Sequence, residues 1–221
     1  MTPEEILQAL YDETLVGNAP RVLELTNEGL TLDMEPQTLL FDALIPSLEE
    51  VGARFERGDF FVPEMLIAGR AMSGAMERLR PLLAETGVQT IGKFLMGTVK
   101  GDVHDIGKNL VNIMLEGAGF EVIDLGVQVA PEKFIEAIDL HQPDIVGFSA
   151  FLTTTMPMFK ANMNALEKAG MRNDVIVMVG GAPVTQEYAD AVGADGYAAD
   201  ASQTVKRAKS LIEAKRTKVP A

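Results

Sequence analysis

Residues 94–125 have the sequence FLMGTVKGDVHDIGKNLVNIMLEGAGFEVIDL. Residues 94–98 and 122–125 are two short apolar runs of strand length, and residues 109–116 between them place apolar side chains at helical spacing. A strand, a helix and a second strand in this order predict one unit of a parallel sheet. Residues 99–107 are then the loop that follows the carboxyl end of the first strand.

The same alternation continues toward the end of the chain. It predicts strands at residues 94–98, 122–125, 145–149, 175–179 and 196–199, and helices at 109–116, 131–140, 157–168, 185–191 and 201–214. This order predicts an α/β fold of the Rossmann or flavodoxin type, a five-stranded parallel sheet with helices on both faces. Ligands of such sheets bind beyond the carboxyl ends of the strands, which points to the following loops: 99–107, 126–130, 149–155, 180–183 and 200–202.

Residues 1–88 have a helical pattern instead. Thr2, Pro3 and Glu5 form the signature of a capping box with proline in the first turn, and this helix is predicted to end near Val16. Three further amphipathic helices are expected at these start signals: Asn18, Asp33 with Pro36, and Pro63. Four helices with short connections predict a four-helix bundle. We therefore expect a helical bundle domain at residues 1–88 and a sheet domain at residues 89–221.

The predicted fourth helix carries methionines with two possible roles. Met65, Met72 and Met76 can fill an irregular bundle core, or they can line a surface for a large flat apolar ligand. The first half of the chain does not decide between these interpretations, although a structural core is the default.

Composition excludes several kinds of function. The 221 residues include 19 basic and 32 acidic side chains, a net charge of −13, which disfavours nucleic acid and anionic lipid as partners. Residues 1–88 hold 16 of the acids against 6 arginines and no lysine. Cysteine is absent, so disulfides, iron–sulfur clusters and thiol nucleophiles are excluded. The start of the chain lacks a signal-peptide pattern and no apolar run reaches about 18 residues, so we expect a cytoplasmic protein.

The loop after the first strand is the most distinctive part of the sequence. It consists of Gly101, Asp102, Val103, His104, Asp105, Ile106 and Gly107. Asp102 lies two residues before His104, so the two side chains can project to the same side and share a hydrogen bond. Such a bond would leave the other ring nitrogen oriented as a metal ligand. A surface histidine paired with an aspartate would have the same pattern, and the residues alone leave both interpretations open. The second histidine, His141, is expected to be a connector residue before a strand.

Three motifs together resemble a known family. Asp102-x-His104-x-x-Gly107, Ser149-x-Phe151 and Gly180-Gly181 are similar to the three-part signature of the cobalamin-binding domains of methionine synthase and of methyltransferase corrinoid proteins. The resemblance covers essentially the whole chain, because this family also carries an N-terminal four-helix bundle. It is greatest to the corrinoid subunits of methylamine and methanol methyltransferase systems.

The resemblance implies a cofactor and the residues that bind it. The cofactor is cobalamin or a related corrinoid, bound base-off and His-on, with His104 replacing the cofactor's own base as the lower cobalt ligand. Asp102 and Thr155 would complete the relay that orients the histidine and couples it to proton transfer. The family usually has leucine at the position of Phe151, and a larger ring there would narrow the tunnel for the nucleotide tail. The implied cofactor-binding residues are Gly101, Asp102, Val103, His104, Asp105, Ile106, Gly107, Ser149, Phe151, Thr153, Thr155, Gly180, Gly181 and Ala201, with Phe55 and Val62 of the bundle over the upper face.

The resemblance also implies a function, that of a methyl carrier alternating between methyl-Co(III) and Co(I) forms. Expected partners are a substrate-specific methyltransferase, an acceptor methyltransferase for tetrahydrofolate or coenzyme M, and a reductive activation protein, so the chain alone is not expected to be a complete catalyst. A methylated amine or betaine is the favoured methyl donor, with methanol and methoxylated aromatics as alternatives. Two other functions remain open: a cobalamin-dependent sensor, and a receiver-like signalling domain without a corrin.

Overall fold

The computed structural model describes residues 1–85 and 90–218. The chain divides into two compact units, a helical unit of Met1–Thr90 with Glu116–Gly119, and a sheet unit of Ile91–Leu115 with Phe120–Ala221. The domain boundary expected between residues 88 and 89 lies outside the described residues.

The helical unit is the predicted four-helix bundle. Its elements are α1 (Pro3–Leu15), α2 (Ala19–Thr31), α3 (Pro36–Leu39), a π-helical turn (Leu40–Leu44), α4 (Ile45–Arg57) and α5 (Val62–Glu85). The π-helical turn joins α3 and α4 into one continuous helix, so four long helical segments result. The capping box of Thr2 and Glu5 is present.

Some local predictions for this unit are corrected. Asn18 precedes α2, but its side chain makes no capping hydrogen bond and donates to Glu13 Oε2 at 2.8 Å instead. The N-cap position of α3 is occupied by Glu35, not by Asp33. Met65 and Met72 are fully buried, which supports a core role for both methionines.

The sheet unit has the predicted doubly wound α/β fold. Its elements are β1 (Lys93–Thr98), α6 (Ile106–Gly117), β2 (Glu121–Asp124), α7 (Pro131–His141), β3 (Ile145–Ser149), α8 (Pro157–Lys168), β4 (Ile176–Gly180), α9 (Gln186–Val192), β5 (Gly196–Tyr197) and α10 (Ala201–Lys218). The five strands are parallel, in the order β2-β1-β3-β4-β5. Fully buried Leu95, Val146 and Val177 lie in the core.

The strand order determines where a ligand can bind. The chain passes from β1 outward to β2 and then returns past β1 to β3, so the order reverses between β1 and β3. Ligands of doubly wound sheets bind at this switch point, beyond the carboxyl ends of the strands. Here the loops after Thr98 and Ser149 meet, because these two residues are paired in the sheet. Within the described ranges, no helix is both long and apolar enough to cross a membrane.

Candidate functional site

Asp102 is the centre of the hydrogen-bond network at the switch point. Its side chain is fully buried. Oδ1 accepts hydrogen bonds from the backbone N–H and ring Nδ1 of His104, at 3.0 and 2.7 Å. Oδ2 accepts from the backbone N–H groups of Phe151 and Leu152, at 2.7 and 3.2 Å, and lies 2.7 Å from the Thr155 hydroxyl. The predicted Asp102–His104 hydrogen bond is therefore present, and Thr155 joins the same carboxylate.

These contacts keep Asp102 ionised. Burial favours the neutral acid and raises its pKa, but hydrogen bonds from the Thr155 hydroxyl, from the backbone and ring of His104 and from the Phe151 backbone outweigh it. The pKa of Asp102 consequently lies well below its usual value. An ionised carboxylate only accepts hydrogen bonds, so His104 Nδ1 is the donor, and in the neutral imidazole the lone pair is then on Nε2.

His104 combines an anchored side with an accessible side. Its side chain is 43% exposed, whereas that of its partner Asp102 has no exposure. The imidazole stacks on the Phe151 ring, with centroids 4.3 Å apart and planes inclined by 28°. The Thr98 hydroxyl donates to the carbonyl oxygen of His104 at 3.0 Å. His104 can therefore act as a fixed monodentate ligand for a metal that brings its other ligands with it.

Large apolar side chains are exposed on the loops around His104. We call these five residues the apolar collar: Val103, Ile106, Val127, Phe151 and Leu152. Their exposed fractions run from 36% to 66%, which is unusual for five large apolar residues on neighbouring loops and at the first residue of α6. A large ligand with an apolar periphery and a metal centre fits this arrangement, because the collar would contact the periphery and His104 the metal.

Gly101 and Gly107, the two glycines of the His104 loop, have different structural reasons to be glycine. Gly101 has a φ of +85°, a left-handed conformation that favours glycine. Gly107 has no atom within 4 Å of a hypothetical Cβ, so internal packing does not account for its lack of a side chain. The open space beside it fits the close approach of a ligand. Asp105 is exposed, and its carbonyl oxygen accepts the Asn109 N–H that begins α6.

Two residues that the resemblance implies as cofactor-binding, Ser149 and Gly180, lie at the ends of β3 and β4. Ser149 and Gly180 are paired across these strands, and no hydrogen bond of the Ser149 hydroxyl is found within the described part of the chain. A Cβ on Gly180 would meet only the Ala198 carbonyl oxygen, at 3.7 Å, which leaves room for a ligand. Thr153 is exposed in the turn before α8, and Ala201 is buried at the start of α10.

Gly181 has a structural role in the chain itself. The resemblance implies that it is a cofactor-binding residue. Its φ is +129°, and a Cβ there would lie 1.9 Å from the Ala150 carbonyl oxygen. The close approach of the loops after β3 and β4 therefore accounts for this glycine without a ligand.

The remaining predicted residues belong to other elements of the fold. Phe55 is half-buried in the last turn of α4 and Val62 is the first residue of α5, both in the helical unit, and their role over a cofactor stays a prediction. His141 ends α7 and lines a groove of about 380 Å³ that also includes Leu140 and, from the apolar collar, Val127. Among residues 1–85 and 90–218, no group of three or more acidic, histidine or cysteine side chains could hold a metal ion by itself.

Several contributors to the site were not predicted. Thr98 holds the His104 backbone, and Leu152 acts through its N–H, which no side-chain pattern reveals. Lys108 is buried near the start of α6 and forms an ion pair with Asp124 at the end of β2. The lysine thereby ties the helix that follows the His104 loop to the neighbouring strand.

The chain matches two protein families and a relative of similar length. Residues 92–206 match a family described as a B12 binding domain, and residues 6–80 match a second family with the same description. The chain is 41% identical to the dimethylamine corrinoid protein of Methanosarcina barkeri over 96% of its own length and 100% of that protein.

Two solved structures are also similar to this chain. A cobalamin-binding protein from Desulfitobacterium hafniense is 31% identical, with a TM-score of 0.68, over 93% of this chain and 96% of that one. The methanol:cobalamin methyltransferase complex of Methanosarcina barkeri contains a chain that is 27% identical, with a TM-score of 0.84, over 95% of this chain and 80% of that one.

Proposed function

Because the chain belongs to the family of corrinoid proteins with B12-binding domains, we propose that it is the methyl-carrying subunit of a methyltransferase system. The observation that most strongly supports this proposal is the arrangement of His104. Its ring is oriented by a buried aspartate, exposed on the opposite side and surrounded by the apolar collar at the switch point of the sheet.

The protein residues would have three tasks. A bound corrinoid supplies a cobalt centre that can accept and release a methyl group. His104 offers Nε2 as the lower ligand in place of the cofactor's own base, and Asp102 holds the proton at Nδ1 so that Nε2 remains available. Thr155 and the N–H groups of Phe151 and Leu152 hold Asp102 in place.

The other groups of the site would bind and shield the cofactor. The apolar collar excludes water from the edge of the corrin, since its side chains cover the surface around His104. Ser149 can donate a hydrogen bond to the displaced nucleotide tail, and the open side of Gly180 leaves space for that tail.

The similar proteins favour one class of methyl donor and one kind of partner. A full-length relative named for dimethylamine supports a methylated amine as donor, with betaines, methanol and methoxylated aromatics as the alternatives. Similarity to a chain of a methyltransferase complex supports docking of a substrate-specific methyltransferase. An acceptor methyltransferase for tetrahydrofolate or coenzyme M and a reductive activation protein would complete the system.

Loading and methylation experiments test the proposal. The full chain is mixed with hydroxocobalamin and desalted, and we expect the wild type to retain the cofactor with a visible spectrum that changes in H104A. The reduced, loaded protein is then given dimethylamine, a betaine, methanol or a methoxylated aromatic, each together with a methyltransferase specific for that donor. Methylation of the bound cofactor by dimethylamine supports the proposal. Stable loading without methylation by any donor of these classes would instead indicate a cobalamin-dependent sensor.

A further inference from the structure

Asp102 alone does not fully fix the His104 ring. Its Oδ1 accepts both the ring Nδ1 and the backbone N–H of His104. Because both bonds end on one oxygen atom, they locate Nδ1 but leave the imidazole able to tilt about the Nδ1···Oδ1 direction. A contact with the face of the ring is needed to fix the direction of Nε2.

Phe151 makes such a contact. Its ring lies against the imidazole, at 4.3 Å between centroids, so it blocks a tilt toward this side. Phe151 is itself anchored, because its N–H donates to Asp102 Oδ2 at 2.7 Å. The preceding Ala150 donates to the Gly180 carbonyl oxygen at 3.2 Å and packs against Gly181. The stacked ring is thus connected to the end of β4.

Thr98 restrains the backbone of His104. Residues 102–105 have no regular secondary structure, whereas Thr98 is the buried last residue of β1. Its N–H donates to the Gly126 carbonyl oxygen, and its own carbonyl oxygen accepts from Val129, both at 2.9 Å. The Thr98 hydroxyl then donates to the carbonyl oxygen of His104. This bond ties the irregular segment directly to the sheet.

We infer that Phe151 and Thr98 are positioning residues for His104. Phe151 limits the tilt of the ring and Thr98 fixes the backbone that carries it, so together they aim Nε2 at the cobalt. The inference rests on the proposed role of His104 as lower ligand. It predicts that loss of either contact weakens coordination by His104, while the cofactor stays bound through its tail.

Four variants at these positions separate the contacts from general packing. F151L removes the ring and keeps an apolar side chain with its N–H, whereas F151Y keeps the ring. T98V removes the hydroxyl, whereas T98S keeps it. F41L is the matched control, because Phe41 is also an exposed phenylalanine but lies in the helical unit.

Competition for the cobalt measures the effect. The full chain is labelled with ¹⁵N-histidine, loaded with unlabelled cob(II)alamin and titrated with unlabelled imidazole. Electron paramagnetic resonance distinguishes the twofold splitting of the labelled protein nitrogen from the threefold splitting of the competitor. For F151L and T98V, we expect half-displacement at about three- to tenfold lower imidazole concentration, equivalent to about 0.7–1.4 kcal/mol. F151Y, T98S and F41L should resemble the wild type, and wild-type values for F151L and T98V would overturn the inference.

A second measurement needs no cofactor. In the cofactor-free protein, the Phe151 ring current should shift the His104 ring protons in NMR spectra of the wild type and F151Y, but not of F151L. Equal shifts in the wild type and F151L would overturn the role of Phe151. A loaded wild type without a protein nitrogen signal would contradict the proposed ligand role of His104, and the NMR result would still decide whether Phe151 positions the ring.

Discussion

Two carboxylates, Asp102 in the sheet unit and Glu50 in the helical unit, each accept several hydrogen bonds, but from different kinds of donor. Asp102 is buried and accepts from backbone N–H groups, a hydroxyl and an imidazole, all fixed by the loops after β1 and β3. Glu50 lies near the surface and accepts from Arg54 and Arg57, at 2.8 and 3.2 Å. Hydrogen bonding by Arg54 is the largest contribution to the lowered pKa of Glu50.

The difference shows how a charge can be used for positioning. Flexible guanidinium groups at the surface are screened by salt and hold their partner weakly. Donors fixed in a buried loop are not screened in this way, and each bond to the carboxylate also fixes the loop that supplies it. The Asp102 network can therefore orient a ligand, whereas the Glu50 network only stabilises the end of α4.

The largest expected effect follows D102N. An amide at this position would direct an NH₂ group at donors that now face an oxygen, so buried donors would lose their acceptor. We expect the cofactor-free protein to lose about 2–3 kcal/mol of unfolding free energy at pH 7, measured by urea denaturation. D105N is the control, because Asp105 is exposed and Asn serves equally well at a helix N-cap. A similar loss in both variants would contradict the special role of Asp102.

The D102N effect should depend on pH. A group whose pKa is depressed on folding stabilises the native state above its unfolded pKa, about 3.9 for Asp, and this contribution is lost as the pH falls through the folded pKa. The difference between wild type and D102N should be present at pH 5 and shrink as the pH falls below about 4. A difference that does not change with pH would show that ionisation of Asp102 is not its cause.

Substitution of Gly181 or Gly180 by alanine tests whether the close approach of the loops after β3 and β4 is needed for stability. G181A combines a positive φ with a clash against the Ala150 carbonyl oxygen, and should cost about 1–3 kcal/mol of unfolding free energy. G180A introduces only an ordinary contact and should leave stability nearly unchanged. If the nucleotide tail binds beside Gly180, G180A should instead weaken cobalamin binding, measured by equilibrium dialysis. Equal losses of unfolding free energy in G181A and G180A would contradict the different roles assigned to the two glycines.

Thr155 should have a smaller effect. Its hydroxyl lies 2.7 Å from Asp102 Oδ2 and 2.8 Å from the Leu152 carbonyl oxygen, and its single proton can serve only one acceptor at a time. T155V should lower the unfolding free energy by about 1–2 kcal/mol, and T155S should restore most of it. A T155V variant as stable as the wild type would contradict this role of the hydroxyl, because valine keeps the methyl group of Thr155 and removes only its oxygen.

Glu50 should give the smallest effect. E50Q removes a surface charge that salt already screens, so we expect little change in the urea midpoint at low salt and none in 1 M NaCl. The D102N effect should be the same at both salt concentrations. A salt-dependent loss in D102N would remove the distinction between the two networks.

Much of this structure was predictable because its patterns are local. Apolar runs of strand length and apolar residues at helical spacing predicted the order of the strands and helices. The spacing of Asp102 and His104 predicted their hydrogen bond. The start of α6 was placed too late, since Gly107 suggested a loop, whereas the helix begins at Ile106.

The other contributors depend on tertiary contacts. Leu152 contributes a hydrogen bond from its backbone N–H to Asp102, and Thr98 contributes one from its hydroxyl to the carbonyl oxygen of His104. Gly181 contributes its close approach to the backbone of Ala150. No spacing in the sequence encodes these three contacts, because each joins segments whose relative position is set by the folded sheet.

The most direct test of the central proposal is the source of the axial nitrogen on cobalt. Protein labelled with ¹⁵N-histidine is loaded with unlabelled cob(II)alamin, and its electron paramagnetic resonance spectrum is recorded for the wild type and H104A. Coordination by His104 predicts a twofold splitting in the wild type that disappears in H104A. A threefold splitting in the wild type would mean that the cofactor keeps its own base as ligand and would contradict the proposal.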